Sequence, residues 1–233
     1  MALSDDLKIE VQNIFSEEWQ KRNGTKIPET ADLKLSNDAV LLEGVVLYAD
    51  LADSTDLVDR RKPAFAAEIY KTYLHCASKI IKNRGGVITA FDGDRVMAVF
   101  IGERKNSAAG ETALRINYAV NEIINPAIKN QYPKSDYSVK QSVRIDRCEL
   151  FVARTGVRGS NDLVWVGQAA NYAAKLCSLR NGNYNSYITE KVYKMFSDDV
   201  KFSGSDKAKP MWEKRKWTEK NIIIYRSNWK EKF

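Results

Sequence analysis

Two aspartates, Asp50 and Asp94, are the residues of this chain best suited to chemistry. Asp50 closes a short apolar run in VVLYADLADSTDLVD, and Asp94 lies beside the tight Asp92-Gly93 turn of ITAFDGDRVMAVF. Two carboxylates delivered to strand ends make a hard, oxygen-rich site suited to Mg²⁺ or Mn²⁺, and so to work on a polyphosphate. Taken singly, each has a plainer use, Asp50 as a helix cap and Asp94 as a hairpin-turn residue. A carboxylate at the end of an apolar strand is costly unless it emerges at an edge or meets a cation. Strand alternation puts Tyr48 on the same face as Asp50. Behind them, Asp53, Ser54 and Thr55 are capping residue types, so the turn is expected to present backbone N–H groups.

The elements that must position these residues show in the pattern around them. Residues 5–22 carry Leu7, Val11, Ile14, Phe15 and Trp19 near helical spacing, with Asn23-Gly24 as a stop. Residues 24–42 read as a connecting segment. Residues 45–48 are a strand, 63–83 a long amphipathic helix ended by Arg84-Gly85-Gly86, and 87–91 with 95–101 a hairpin. A second long helix is expected over 107–130, with Pro126 able to kink or shorten it. Residues 138–152 are a strand or strand pair containing Arg144, and 163–166 a short strand. Gly167 opens a helix to about residue 179. Residues 187–189, a short helix, and strands near 200–202 and 222–225 complete the order. This succession fits an α/β sandwich with a mixed, largely antiparallel sheet.

Composition narrows the class. In 233 residues, 44% hydrophobic and 10% aromatic content is enough for one packed domain with elaborations. No apolar run approaches the roughly 20 residues that span a bilayer, and no signal peptide is visible at the polar, acidic start. A soluble cytoplasmic protein with no membrane partner is the expectation. Cys76, Cys148 and Cys177 are widely spaced without a CxxC pair, and His75 is the single histidine. These spacings argue against structural zinc and a disulfide framework and point to the cysteines as reduced core residues. The net charge of +7 favours anionic partners, although the run Lys214, Arg215, Lys216 equally fits a solvated face. No RRM, KH or zinc-finger signature supports specific nucleic-acid binding.

Three segments in order, YADLADST around Asp50, FDGDRVMAVF, and VGQAANYAAKL, resemble the class III nucleotidyl cyclase catalytic domain. The likeness covers roughly residues 42–205. Residues 1–41 stand outside it as an N-terminal helix and connector, and 206–233 form a basic segment with the final strand. It implies a cyclase-like fold with a ferredoxin-like core. It also implies that Asp50 and Asp94, with the Leu51 carbonyl, hold two divalent metal ions. Backbone amides of Ala52, Asp53, Ser54 and Thr55 would cradle phosphates, with Arg144 or a lysine near 214–220 as a triphosphate cation. Asn171 and Lys175, four apart on one helix face, would orient the ribose and stabilise the transition state from the opposite subunit of a head-to-tail homodimer.

The departures concern the base. Purine-specific members place polar readers where this chain has Ala90 and Val164, with Asp162 two residues from the latter. Tyr48 replaces a common Phe, and Lys175 replaces an Arg, keeping charge but losing the bidentate fork. Losing buried polar contacts removes the largest source of discrimination between bases. With YADLADST, these changes are similar to the bacterial pyrimidine cyclases of Pycsar antiphage defence. The expectation is conversion of UTP to cyclic UMP and pyrophosphate, read by a separate effector. The alternatives are a cytidylate cyclase, an adenylate or guanylate cyclase, and a non-catalytic nucleotide sensor.

Overall fold

The computed structural model describes residues 2–176, 184–204 and 208–233, with the side chains of 174–176 outside the description. In chain order the elements begin α1 (Leu3–Ser16), β1 (Gln20–Asn23), β2 (Asp38–Leu51), α2 (Ser54–Arg60), α3 (Pro63–Asn83), β3 (Val87–Asp92) and β4 (Arg95–Phe100). α4 (Lys105–Tyr118) runs through a π-helical turn, Ala119–Ile124, into α5 (Asn125–Gln131). Then come β5 (Gln141–Val157), β6 (Ser160–Val166), α6 (Gln168–Leu176), β7 (Ser186–Thr189), α7 (Glu190–Lys194) and α8 (Asp198–Lys201). β8 (Phe202–Ser203), β9 (Lys209–Pro210), β10 (Glu213–Trp217) and β11 (Ile222–Ser227) close the chain. Contacts divide it into two compact units, Met1–Glu43 with Cys148–Gln168, and Gly44–Arg147 with Ala169–Phe233.

In the first unit, β1 pairs in parallel with the start of β2, Gln20 opposite Asp38. α1 ends at Ser16, six residues before the spacing predicts. The Asn37 amide donates to the carbonyls of Ile14 (2.8 Å) and Glu17 (2.7 Å), taking acceptors that a continued helix would need. Trp19 leaves the helical register to pack edge-on against Phe151, ring centroids 4.8 Å apart. The outer part of β5 forms an antiparallel hairpin with β6, Ala153 opposite Val164.

The second unit holds a mixed, mostly antiparallel sheet flanked by helices, in the order β10-β11-β7-β5-β2-β4-β3. β5 and β7 run parallel, while β10/β11, β11/β7, β2/β4 and β3/β4 are antiparallel. Alternation does the sorting. Val45, Leu47, Ala49 and Leu51 of β2 join Val96, Ala98 and Phe100 of β4 in the core under Ile69, Tyr73, Ala77 and Ile80 of α3. The intervening residues, Tyr48 and Asp50 among them, therefore face the other side.

Some expectations hold here and others change. The helix predicted over 107–130 runs without a non-helical residue through α4, the π-helical turn and α5, and Pro126 stands at the start of α5 directly after the π-helical turn. The strand predicted near 200–202 is α8 followed by two-residue β8. Val200 is buried in that helix, and its carbonyl accepts the Trp212 indole N–H at 2.8 Å. The basic run 214–216 lies on strand β10, three exposed charges ahead of buried Trp217. Cys76 is half-buried against the core and Cys148 is half-buried, neither in a disulfide, and Cys177 lies outside the described residues.

Candidate active site

The β2–β4–β3 register builds the site in two rows. Tyr48 and Ala90 both stand opposite Met97, one on each neighbouring strand, so the three share a face. One step along the pleat, Arg95 stands opposite Asp92 on β3, and its Nε lies 3.6 Å from the Asp50 carboxylate. The Arg95 guanidinium also sits over the Tyr48 ring, 5.9 Å from its centre. Asp50 thus meets a cation at the strand end, as its position in an apolar run demands. Gly93 takes a positive φ of 58° to turn the hairpin, which sets Asp94 in the turn itself.

Asp94 Oδ2 is buried and has no hydrogen-bond partner among the described residues. Both aspartates act on one neighbour, Tyr70 of α3. Burial pushes its phenol up, the charges of Asp94 and Asp50 push the same way, and the nearby Ser54 side chain opposes them. One turn further along α3, the Tyr73 hydroxyl donates to the Asp50 carbonyl at 3.2 Å. Tyr137 is pushed up to about 12, by burial first and by Tyr70 next, and packs edge-on against Phe65.

The turn behind Asp50 is tight. Asp53 holds left-handed angles, φ 60° and ψ 30°, at the start of α2. The Ala52 amide donates to the Lys140 carbonyl at 2.9 Å, so this one of the four expected cradle amides is engaged within the fold. The Lys140 ammonium stands 4.0 Å from the Asp53 carboxylate. Ala52, Asp53, Arg60, Arg61, Tyr137 and Lys140 line a cavity of about 240 Å³ beside the turn.

Arg144 lies elsewhere. It is 2% exposed, its Nη1 donates to the Val143 carbonyl at 3.0 Å, and its head group covers the Tyr187 ring at 4.1 Å. On α6, buried Ala169 and Ala173 pin one face of the helix and leave Asn171 exposed. Lys175 belongs to the same helix, and its side chain lies outside the described residues. Tyr172 meets Trp217 of β10 edge-on at 6.1 Å. Trp217 joins Tyr187, Arg215, Lys216 and Arg226 around a cavity of about 300 Å³. Val164 is 39% exposed on β6 of the first unit.

Chemically, Asp50 and Asp94 offer hard oxygen donors. No group of three or more His, Cys, Asp or Glu side chains that could hold a metal occurs among the described residues. A cation bound there completes its shell from backbone carbonyls, water or a ligand phosphate. Arg95, Met97, Tyr70, Tyr73 and Lys140 escaped the sequence reading. Hairpin register alone points to Met97 beside Ala90; Arg95 meets Asp50 through the β2–β4 pairing, and the other three depend on tertiary packing.

No family model matches the chain. It is 53% identical to a uridylate cyclase of Xanthomonas perforans over 99% of this chain and 98% of that protein. It is 47% identical to a uridylate cyclase of Burkholderia cepacia, covering 99% of each, and 37% identical to one from Rhodovulum sp. (strain MB263), covering 98% and 97%. Among solved structures, the guanylyl cyclase Cya2 superposes with a TM-score of 0.67 at 16% identity, covering 82% of this chain and 94% of that one. The adenylyl cyclase CyaB from P. aeruginosa gives 0.62 at 18% identity, covering 81% and 95%. These two share the fold.

Proposed function

The chain belongs to the uridylate cyclase family, and from that premise we propose that it converts UTP to 3′,5′-cyclic UMP and pyrophosphate. The observation that supports this reading most is identity above one half to a uridylate cyclase across the whole chain. The site agrees with it. The row Tyr48, Met97, Ala90 contains a single polar group, the Tyr48 hydroxyl, and none of the readers expected for a purine.

Asp50 and Asp94, with the Leu51 carbonyl, are the residues to hold two divalent cations, Mn²⁺ or Mg²⁺. The buried, unpartnered Asp94 oxygen fits that use, since an orphaned carboxylate oxygen is costly until a cation satisfies it. When bound, such ions lower the pKa of the ribose 3′-hydroxyl and neutralise the leaving pyrophosphate. The chain's own residues do the rest. The Asp53–Thr55 turn receives the β- and γ-phosphates, and Lys140 takes the cationic role there that Arg144, buried in the sheet, does not fill. Asn171 orients the ribose for in-line attack of its 3′ oxygen on the α-phosphorus. Lys175 offsets the charge that develops as the P–O bond to pyrophosphate breaks.

Asn171 and Lys175 act on the aspartates of a second copy, which makes the working form a homodimer with shared sites. The product is read by a separate effector in bacterial antiphage defence, the setting of the cyclases this chain resembles. No helix among the described residues is long and apolar enough to cross a membrane, and a cytoplasmic location is part of the same proposal.

Purified protein given UTP and Mn²⁺ is expected to release pyrophosphate with cyclic UMP, and Asp50→Ala and Asp94→Ala to stop both. Nucleotide binding without pyrophosphate release, indifferent to either substitution, would instead identify a sensor.

A further inference from the structure

α3 and the π-helical turn bound a cavity of about 650 Å³ that shares no lining residue with the aspartate site. All of it belongs to the second unit. Its volume falls in the range of about 300–1,000 Å³ usual for small-molecule sites. From α3 come Lys79 and Asn83, four apart and so on one face, with buried Ile80 beside them. Ala119 and Ile123 face them from the π-helical turn, and Phe233 lines the cavity as well. A π-helical turn is rare and gathers at functional sites.

The wall that carries Phe233 is fixed in place. The Asn117 amide donates to the carbonyls of Asn228 (2.8 Å) and Trp229 (2.9 Å), and Phe233 packs edge-on against Tyr118 with centroids 5.8 Å apart. Arg115 donates from Nε and Nη2 to one Glu231 oxygen at 2.9 and 2.8 Å, which takes up its charge. Lys79 is different: its ammonium has no ion-pair partner among the described residues, nor has the Asn83 side chain a hydrogen bond there. Ile123 and Phe233 keep 45% and 58% of their surface exposed at the same cavity. Exposed apolar walls beside an unpaired cation complement an apolar body that ends in an anion. We propose that this cavity binds a small amphipathic carboxylate, its tail against Ile80, Ala119 and Ile123 and its head on Lys79 and Asn83.

Decanoate and decanol, titrated into the full chain by calorimetry, test this. Decanoate is expected to bind once per chain, more tightly than decanol, and to raise the melting temperature. Lys79→Gln is expected to lower decanoate affinity by about two- to fivefold and leave decanol unaffected. Ile123→Asp, at an exposed position, is expected to weaken both probes by at least about tenfold while melting as wild type without ligand. Val157→Asp, at an exposed apolar position of the first unit, is expected to change neither. No decanoate binding, equal affinity for the two probes, or binding that Ile123→Asp leaves intact overturns the proposal. Light scattering on the same proteins covers the other occupant. A smaller assembly for Ile123→Asp, with no decanoate uptake by the wild type, would give this face to a second copy and overturn the proposal too.

Discussion

Asp50 and Asp94 reach the same neighbourhood by different means, and their environments set different expectations for substitution. Asp50 has a cation beside it, Arg95 at 3.6 Å. Asp94 has a buried oxygen with no hydrogen-bond partner among the described residues, a cost to the fold that the proposed metal role would explain. Asp94→Asn is therefore predicted to cut turnover by at least about a hundredfold while leaving the melting temperature unchanged or higher. Enzyme assay and calorimetry on one preparation check both halves, and a large loss of stability would contradict the assignment. That Asp50 and Asp94 end near one another, both within reach of Tyr70, was legible in the sequence because strand alternation and a Gly turn carry it. Arg95 was not, because its meeting with Asp50 requires the β2–β4 register. Tyr70 and Tyr73 were hidden among the apolar positions of a helix, where a tyrosine looks like core until its hydroxyl is located.

Elements explain which parts of the fold could be read in advance. The 63–83 helix and the hairpin at 87–101 were legible because Pro, Gly and period alone decide them. The close of α3 is strict: a Cβ on Gly86 would lie 2.5 Å from the Phe100 ring and 2.8 Å from Ile81. Gly86→Ala is predicted to destabilise by about 1–3 kcal/mol, read by urea unfolding, through overpacking at a rigid contact. What the sequence hid were ends fixed by distant partners, such as Asn37 stopping α1 and Trp212 holding α8. The β1–β2 pair carries a titration of its own. Burial acts to raise the Asp38 carboxyl, and the Lys34 amide and Arg22 outweigh it, so it sits below its ordinary 3.8. A depressed carboxyl contributes stability above its unfolded pKa and loses it as pH falls through the folded one. Wild type is thus expected to lose stability below about pH 4 more steeply than Asp38→Asn, in acid unfolding followed by circular dichroism.

At the scale of the whole molecule, the account depends on two copies sharing each site. Asp50→Ala and Asn171→Ala proteins, each inactive, are predicted to recover about a quarter of wild-type activity when mixed and allowed to exchange. No recovery after demonstrated exchange would place both residues in one subunit's site. The net charge of +7 plays no part in this and predicts only salt-sensitive attraction to anions. The choice of base matters most to the proposal, in which the aspartates carry the reaction and Tyr48, Met97 and Ala90 face the base. The direct measurement is competition among ATP, GTP, CTP and UTP at equal concentration in one reaction with Mn²⁺, with products identified by mass. Cyclic UMP is predicted as the dominant product, absent with Asp94→Ala. Cyclic AMP or cyclic GMP as the sole product would contradict it.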